Sequence, residues 1–139
     1  MVAGGLADST TNYYIDFPVA EKYLSELRSS GFLSDFFLSD LMDFFKRCNV
    51  YLKKHPQNDG PPPGLDADLI MKRQDYQDIW DSLGKAKSIE KVITQNTSVI
   101  HLSFNKYSHE KYYLSKSGNQ WLIDSIGSSF KTNAYYSLQ

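Results

Sequence analysis

Thr-Ser-Val-Ile-His-Leu-Ser-Phe-Asn, residues 97–105, is the stretch that decides the fold. Apolar side chains alternate along it with a mostly polar set, Ile100, Leu102 and Phe104 against Val99, His101 and Ser103. This period of two is typical of a β-strand that has one apolar and one mostly polar face. An apolar strand face needs partner strands and a cover, and both have to come from the rest of the chain.

Three flanking stretches have the composition of further strands: Ser88–Gln95, Lys111–Lys116 and Gln120–Ile126. They contain β-branched and aromatic residues, which favour pleated surfaces. The connections between them are polar and are predicted to be turns or loops: Gln95-Asn96, Lys106–Glu110 and Ser117-Gly118-Asn119. The sequence therefore predicts an antiparallel meander of about four strands.

The N-terminal half predicts two helices that cover this sheet. The first spans Pro18–Ser30 and has one apolar face at helical spacing, formed by Ala20, Tyr23, Leu24 and Leu27. The second begins after the capping residue Ser34 and runs to about Cys48, while Tyr51–Lys54 either extends it or leaves it. Its apolar stripe is broad and aromatic: Phe37, Leu38, Leu41, Phe44, Phe45 and Cys48. We expect this stripe to pack on the apolar side of the sheet.

The chain of 139 residues is long enough for one domain with one hydrophobic core. Its net charge of -1 gives no electrostatic reason to expect nucleic acid as a partner. The single cysteine excludes an internal disulfide, and no apolar run is long enough to span a membrane. Residues 1–15 are predicted to be a flexible arm, residues 16–127 the domain, and residues 128–139 a tail or an edge strand. The first residues lack the pattern of an intact signal peptide.

The last strand and the segment before the sheet together resemble a known family. The residues that carry the resemblance are Asp66, Asp68, Ile70, Gln74, Asp75, Gly118, Trp121, Ile123, Asp124 and Ile126. Their order, after two helices and a Pro/Gly-rich loop, resembles the DUF3828 family of the NTF2-like (cystatin-like α+β) superfamily. The resemblance covers residues 16–127, and the sequence departs from it at Ala67, where such families often carry proline.

The resemblance implies N-terminal helices packed on a curved antiparallel sheet, with a cone-shaped cavity between the two layers. It also implies a cell-envelope or secreted location, periplasmic or as a lipoprotein, because relatives commonly follow a leader segment. It implies no particular activity, since domains of this superfamily include isomerases, dehydratases, ligand-binding proteins and interaction modules.

Eight residues are candidates for the wall or the mouth of such a cavity: Asp66, Asp68, Gln74, Asp75, Trp80, Tyr112, Trp121 and Asp124. Asp66 or Asp68 is expected to cap a short helix through about Met71, because other positions of a calcium-binding loop are missing. Asp124 is a solvated strand residue if it points outward and a candidate general base if it faces the cavity. No metal and no cofactor is predicted, because no zinc motif occurs among the histidines, His55, His101 and His109.

These features predict a non-catalytic domain that binds a small apolar ligand or a protein partner in or near the cavity between helices and sheet. One alternative is an isomerase or dehydratase that uses Asp124, Asp75 or Tyr112 as its acid or base. The other is an immunity-type or assembly protein whose exposed sheet face carries Tyr107, Tyr112 and Tyr113. A homodimer formed through the sheet belongs with this last alternative.

Overall fold

The computed structural model describes residues 3–4, 12–60, 62, 64–66, 68–70, 81, 83–105 and 108–128. In these residues the elements follow in the order β1 (Ala3–Gly4), β2 (Tyr14–Ile15), α1 (Phe17–Ser29), α2 (Asp35–Lys54), a 3-10 turn (Leu83–Lys85), β3 (Lys87–Ile93), β4 (Thr97–Asn105), β5 (Ser108–Ser117) and β6 (Gln120–Ser128). Two helices pack against a curved antiparallel sheet, so the predicted α+β architecture is confirmed.

The main sheet is a meander in which β3, β4, β5 and β6 lie in chain order, each antiparallel to its neighbour. In the β5–β6 hairpin, Gly118 has a φ of 61°, a left-handed conformation that glycine adopts without steric cost. In the β3–β4 turn, the Thr97 N–H donates to the Thr94 hydroxyl over 3.0 Å, and the Thr94 N–H donates to the Thr97 carbonyl over 2.8 Å. The predicted four-strand meander is therefore confirmed.

Register shifts interrupt the ladders of this sheet at Ile89 in β3, Phe104 in β4 and Asp124 in β6. At each position one strand carries an extra residue, as in a β-bulge, which bends and twists the strand locally. The sheet is curved accordingly.

Both helices begin at a polar cap. Asp16 caps α1, where its Oδ1 accepts the Val19 N–H over 3.2 Å, and Pro18 follows in the first turn, where its missing N–H costs nothing. Ser34 caps α2, as the sequence predicts, and its Oγ accepts the Phe37 N–H over 3.2 Å. The second helix runs to Lys54, so Tyr51–Lys54 belongs to it rather than to the loop that follows.

The hydrophobic core is built around α2. The predicted stripe is entirely buried, and Leu52 continues it into the last turn: Phe37, Leu38, Leu41, Phe44, Phe45, Cys48 and Leu52. Tyr23 of α1 meets Phe45 edge-on, with ring centroids 6.4 Å apart, a favourable aromatic geometry. Ile123 and Ile126 of β6 pack against the same cluster from the sheet. The apolar face of α2 therefore joins the helical layer to the sheet.

The segment ahead of α1 also belongs to the core. β2 pairs antiparallel with β1, and Ile15 is buried in the same cluster as Phe45. The Tyr13 N–H donates to the Gln57 carbonyl over 2.7 Å, which ties this segment to the loop after α2. The boundary expected at residue 16 therefore follows residues that are already packed, whereas residues 1–2 and 5–11 lie outside the described chain.

The connection between the two helices is hydrogen-bonded to the edge of the sheet. The Ile123 N–H donates to the Phe32 carbonyl over 2.8 Å, and the Ile123 carbonyl accepts the Ser34 N–H over 3.0 Å. Leu33 and Ile123 thereby form a parallel bridge. The residue that caps α2 is thus fixed directly to the last strand.

Two local predictions are wrong. Lys106–Glu110 is not a turn throughout, because β5 begins at Ser108 and includes Glu110. The short helix expected from Asp66 or Asp68 is a turn where the structure describes it, at Leu69 and Ile70, and the rest of that prediction, from Met71, lies outside the described residues. The polar run of the first segment hides the strand period, and in the second segment an aspartate ahead of apolar residues resembles a helix cap.

Candidate functional site

Register divides the main sheet into two faces, because residues directly opposite each other in antiparallel strands share a face. One set is called the inner face here: Ser98, Ile100, Leu102, Glu110, Tyr112, Leu114, Trp121, Ile123 and Ile126. The other set is the outer face: Val99, His101, Ser103, His109, Lys111, Tyr113, Ser115, Leu122 and Ser125. The inner face is turned toward the helices, since Ile123 and Ile126 pack against the helical core.

The irregularity at Asp124 decides which side chains of β6 reach the inner face. Regular alternation would put Ile123 and Ile126 on opposite faces, because they are three residues apart. Register instead pairs Ile123 with Leu114 and Ile126 with Tyr112, so the extra residue places both isoleucines on the inner face. The contact between β6 and the helices depends on this insertion.

The apolar side chains of the inner face are covered less completely than those of α2. Six large ones keep part of their surface accessible: Ile100, Leu102, Leu114, Trp121, Ile123 and Ile126. A helical layer that sealed the sheet would leave this face as closely packed as the buried stripe of α2. Apolar surface therefore remains accessible on the side of the sheet that faces the helices, and such surface suits small apolar ligands.

A buried carboxylate lies on this apolar face. Glu110 of β5 is 1% exposed and stands opposite Leu102 of β4. The Tyr112 hydroxyl, two residues further along the same strand, donates a hydrogen bond to Glu110 Oε2 over 2.7 Å. Burial of a carboxylate costs free energy that hydrogen-bond donors have to offset. Glu110 and Tyr112 together therefore form a polar centre on the inner face.

Ser98 provides a second polar group, near the start of β4. It is 5% exposed, stands opposite Leu114, and its hydroxyl has no hydrogen-bond partner among the described residues. A buried hydroxyl left without a partner costs about 1–3 kcal/mol. The inner face thus has polar groups at two separate places, with Ile100 between Ser98 and the Glu110–Tyr112 pair.

The structure brings only part of the predicted site together. Tyr112 and Trp121 both lie on the inner face and are partly accessible. Asp66 and Asp68 are exposed in the loop ahead of the sheet, where Asp68 Oδ1 accepts the Ile70 N–H over 2.9 Å. The remaining candidates in this region lie outside the described residues: Gln74, Asp75 and Trp80.

Asp124 has a structural partner on the neighbouring strand. It is the extra residue of β6, it is half-buried, and its Oδ1 accepts a hydrogen bond from the Ser115 hydroxyl over 2.9 Å. Ser115 belongs to the outer face, so this bond draws the Asp124 side chain toward that face. Asp124 is therefore badly placed to act as a base on a molecule bound at the inner face.

Asp68 acts electrostatically on the first helix. Burial raises the pKa of the Tyr23 hydroxyl above its ordinary value of 10.0, and the negative charge of Asp68 raises this pKa further. A carboxylate near a half-buried phenol disfavours a second negative charge there. The loop that carries Asp68 therefore lies close enough to α1 for the two side chains to interact.

The outer face also carries aromatic and imidazole groups. Tyr113 is 42% exposed there, whereas its neighbour Tyr112 lies on the inner face. The two tyrosines therefore do not share one surface patch, and Tyr107 lies outside the described residues. His101 and His109 also meet on the outer face, with ring centroids 5.7 Å apart.

In the described part of the chain, Cys48 does not form a reactive-thiol site, and no cluster of side chains forms a metal site. Burial raises the pKa of the Cys48 thiol to about 12, against a smaller opposing effect of the Arg47 charge. A thiol with so high a pKa is not a nucleophile at neutral pH. Within the described ranges, no group of three or more His, Cys, Asp or Glu side chains has a geometry that could hold a metal ion.

Sequence reasoning missed Glu110 and Ser98, although both follow the strand period. The polar run before Lys111 predicts a turn, which hides the spacing of two that relates Glu110 to Tyr112. Extending the alternation of β5 backward from Tyr112 would have placed Glu110 and Tyr112 on one face of the strand. In the same way, Ser98 continues the alternation of Ile100 and Leu102 toward the start of β4.

Fold and site together define an α+β domain whose sheet presents a partly accessible apolar face to its helices. Comparisons with protein-family models, with curated proteins and with solved structures find no match to this chain. In the portion that the structure describes, neither helix combines the length and the apolar character that crossing a membrane requires.

Proposed function

We propose that this protein is a non-catalytic domain that binds a small apolar or amphipathic ligand between its helices and the inner face of its sheet. The observation that carries the proposal is the partial exposure of Ile100, Leu102 and Leu114 beside a fully buried helical stripe. A ligand that covers such surface gains about 25 cal/mol for each Å² of apolar area removed from water. Ser98 and the Glu110–Tyr112 pair supply the few polar contacts that orient a ligand in a mostly apolar site.

The resemblance to the DUF3828 family supports this proposal, because the NTF2-like superfamily includes ligand-binding domains with a cavity between helices and sheet. We propose on the same ground that the protein works in the cell envelope or outside the cell. Domains of this superfamily differ widely in activity, so the resemblance does not replace the argument from the inner face.

Binding of a neutral, environment-sensitive dye such as Nile red tests the proposal, with octanol as a competitor. Ile100 and Val99 are neighbours in β4 on opposite faces, so Ile100→Trp and Val99→Trp place the same large side chain on the inner and the outer side. We expect the wild-type chain to bind the dye and octanol to displace it. Ile100→Trp should weaken dye binding by about tenfold or more, equivalent to about 1.4 kcal/mol, whereas Val99→Trp should leave it unchanged.

Circular dichroism and thermal unfolding establish that both variants keep the fold before binding is compared. The proposal fails if the wild-type chain does not bind the dye, or if the two tryptophan variants bind it equally well.

Acid–base catalysis is a second candidate function, and the Glu110–Tyr112 pair favours it. A buried carboxylate beside an apolar surface is a suitable proton acceptor if a substrate reaches it. The acting carboxylate would then be Glu110 rather than Asp124, whose Oδ1 is engaged by Ser115. Deuterium exchange into a panel of enolisable ketones, followed by nuclear magnetic resonance, tests this candidate. Exchange by the wild-type chain that disappears in Glu110→Gln supports it, and no exchange above background excludes this reaction class for the panel.

A further inference from the structure

We infer that the ligand of the inner face carries a carboxylate, which Ser98 and Lys91 bind on the β3 side of the sheet. The inference rests on the proposed function and adds the chemical class of the ligand's polar group. Its basis is a buried hydroxyl that has no hydrogen-bond partner among the described residues and lies diagonally across from a lysine.

Ser98 offers a hydrogen-bond donor within an apolar surface. It is 5% exposed, and its hydroxyl makes no hydrogen bond within the described chain. The residues directly opposite it are apolar and keep accessible surface, Ile93 of β3 and Leu114 of β5. Ile93 is 54% exposed and therefore changes rotamer readily, so a ligand group reaches the hydroxyl from this side. Folding has already removed the hydroxyl from water, so a hydrogen bond to the ligand requires no further desolvation of Ser98.

Lys91 supplies a positive charge next to this hydroxyl. It stands opposite Ile100, two residues before Ile93, which places its side chain on the inner side of β3 and diagonal to Ser98. Diagonal neighbours in a ladder are about 7–8 Å apart, a distance that a long side chain spans. Lys91 is exposed, and the ion pairs of the described chain use other side chains. Its ammonium is therefore placed to meet a negative group that is bonded to Ser98.

The two groups together fit a carboxylate. One oxygen accepts the proton of the Ser98 hydroxyl while the other faces the Lys91 ammonium, and a hydrogen bond to an ionised acceptor is about twice as strong as one between neutral groups. A ligand ammonium would be repelled by Lys91, and an alcohol would gain only the hydrogen bond. Glu110, whatever its charge, lies four residues from Leu114 along β5, about 13 Å, so Lys91 is the nearer of the two.

A matched set of octyl compounds tests the inference: octanoate, octylamine and octanol, each competing with Nile red at neutral pH. They share one apolar chain and differ only in the polar group. We expect octanol to bind the wild-type chain, and octanoate to bind about tenfold more tightly than octylamine, since a hydrogen bond to a charged group contributes at least that much.

Two variants and one control identify the residues responsible. In Lys91→Gln, which removes the charge, the preference for octanoate over octylamine should fall to about threefold or less. Lys87→Gln removes an exposed charge from the same strand opposite Ser103, on the outer side, and should leave the preference unchanged.

Ser98→Ala separates binding from a structural role. It should weaken octanoate binding by about tenfold without lowering the free energy of unfolding of the ligand-free chain, because the hydroxyl makes no hydrogen bond in the described structure. A lower free energy of unfolding would show that the hydroxyl serves the fold, which contradicts the inference.

The wild-type comparison decides the matter even if a variant does not fold. Octylamine that binds as tightly as octanoate overturns the inference, while dye and octanol binding keep the proposed function intact. Failure of all three compounds and of the dye overturns both. A preference for octanoate that survives in Lys91→Gln and in Ser98→Ala also overturns the role assigned to these two residues.

Discussion

Cys48 shows how burial on α2 changes the chemistry of a single side chain. Its pKa is raised to about 12 by burial, and the thiolate is the form that reacts with disulfide reagents. We expect the native chain to resist Ellman's reagent at about pH 8 and to react fully in urea. Ser39→Cys places a second thiol on the exposed side of the same helix and should react at once. Native Cys48 that reacts as fast as this control would contradict its burial.

Tyr23 gives the fold a pH dependence at the alkaline end. Its pKa in the folded chain is raised above 10.0 by burial and by Asp68, so the unfolded chain loses this proton first as the pH rises. The contribution of Tyr23 to stability is therefore complete below about pH 10 and is lost as the pH rises through the folded pKa. We expect the free energy of unfolding to fall more steeply above about pH 10 in the wild-type chain than in Tyr23→Phe.

Urea titrations at about pH 8 and about pH 11 measure this difference. Tyr14→Phe, at an exposed position just ahead of α1, is the matched control and should retain the wild-type slope. Equal slopes for wild type and Tyr23→Phe would contradict a raised pKa of Tyr23 in the folded chain.

Ser34 connects two elements, since its side chain caps α2 and its backbone is bonded to β6. Ser34→Ala keeps the backbone bond to Ile123 but removes the acceptor for the Phe37 N–H. We expect the variant to lose about 1–2 kcal/mol of unfolding free energy, the usual cost of a missing N-cap. Ser39→Ala, on the exposed side of the same helix, should change stability by less than about 0.5 kcal/mol. Chemical denaturation measures the unfolding free energy of both variants. Equal losses would mean that the hydrogen bond from the Phe37 N–H to Ser34 Oγ does not contribute to stability.

Elements whose pattern is local are the ones that the sequence predicts well. The stripe of α2 and the alternation in β4 each fix an element and its buried side without knowledge of any partner. The extra residue at Asp124 is different, because whether Ile123 and Ile126 share a face depends on how β6 pairs with β5. A bulge is a property of two strands, so the sequence of one strand does not disclose it.

The candidate site is harder to predict than the fold, because it depends on how far the helices cover the sheet. Amphipathic patterns show which side of a helix meets which side of a sheet. They do not show how much apolar surface the packing leaves accessible, and at Ile100 and Leu102 this accessible surface is what the site depends on. Asp124 illustrates the same limit: its place in the last strand is predictable, but its bond to Ser115 arises only from the pairing of two strands.

The helices and the sheet should unfold as one unit. Phe45 is fully buried in the cluster that receives Ile15 from the N-terminal segment and Ile123 from β6. Phe45→Ala should therefore cost about 3–5 kcal/mol, a large part of a typical total stability. Phe36→Ala, on the same helix but 67% exposed, should cost less than about 0.5 kcal/mol.

Amide hydrogen exchange distinguishes a shared core from two separate layers. Slow amides of α2 and of β4 should lose the same free energy of opening in Phe45→Ala. Ile123 lies in the same sheet as β4, packs on this cluster, and is hydrogen-bonded to the connection just ahead of α2. A loss confined to α2 would show that the sheet holds its structure without the helical core.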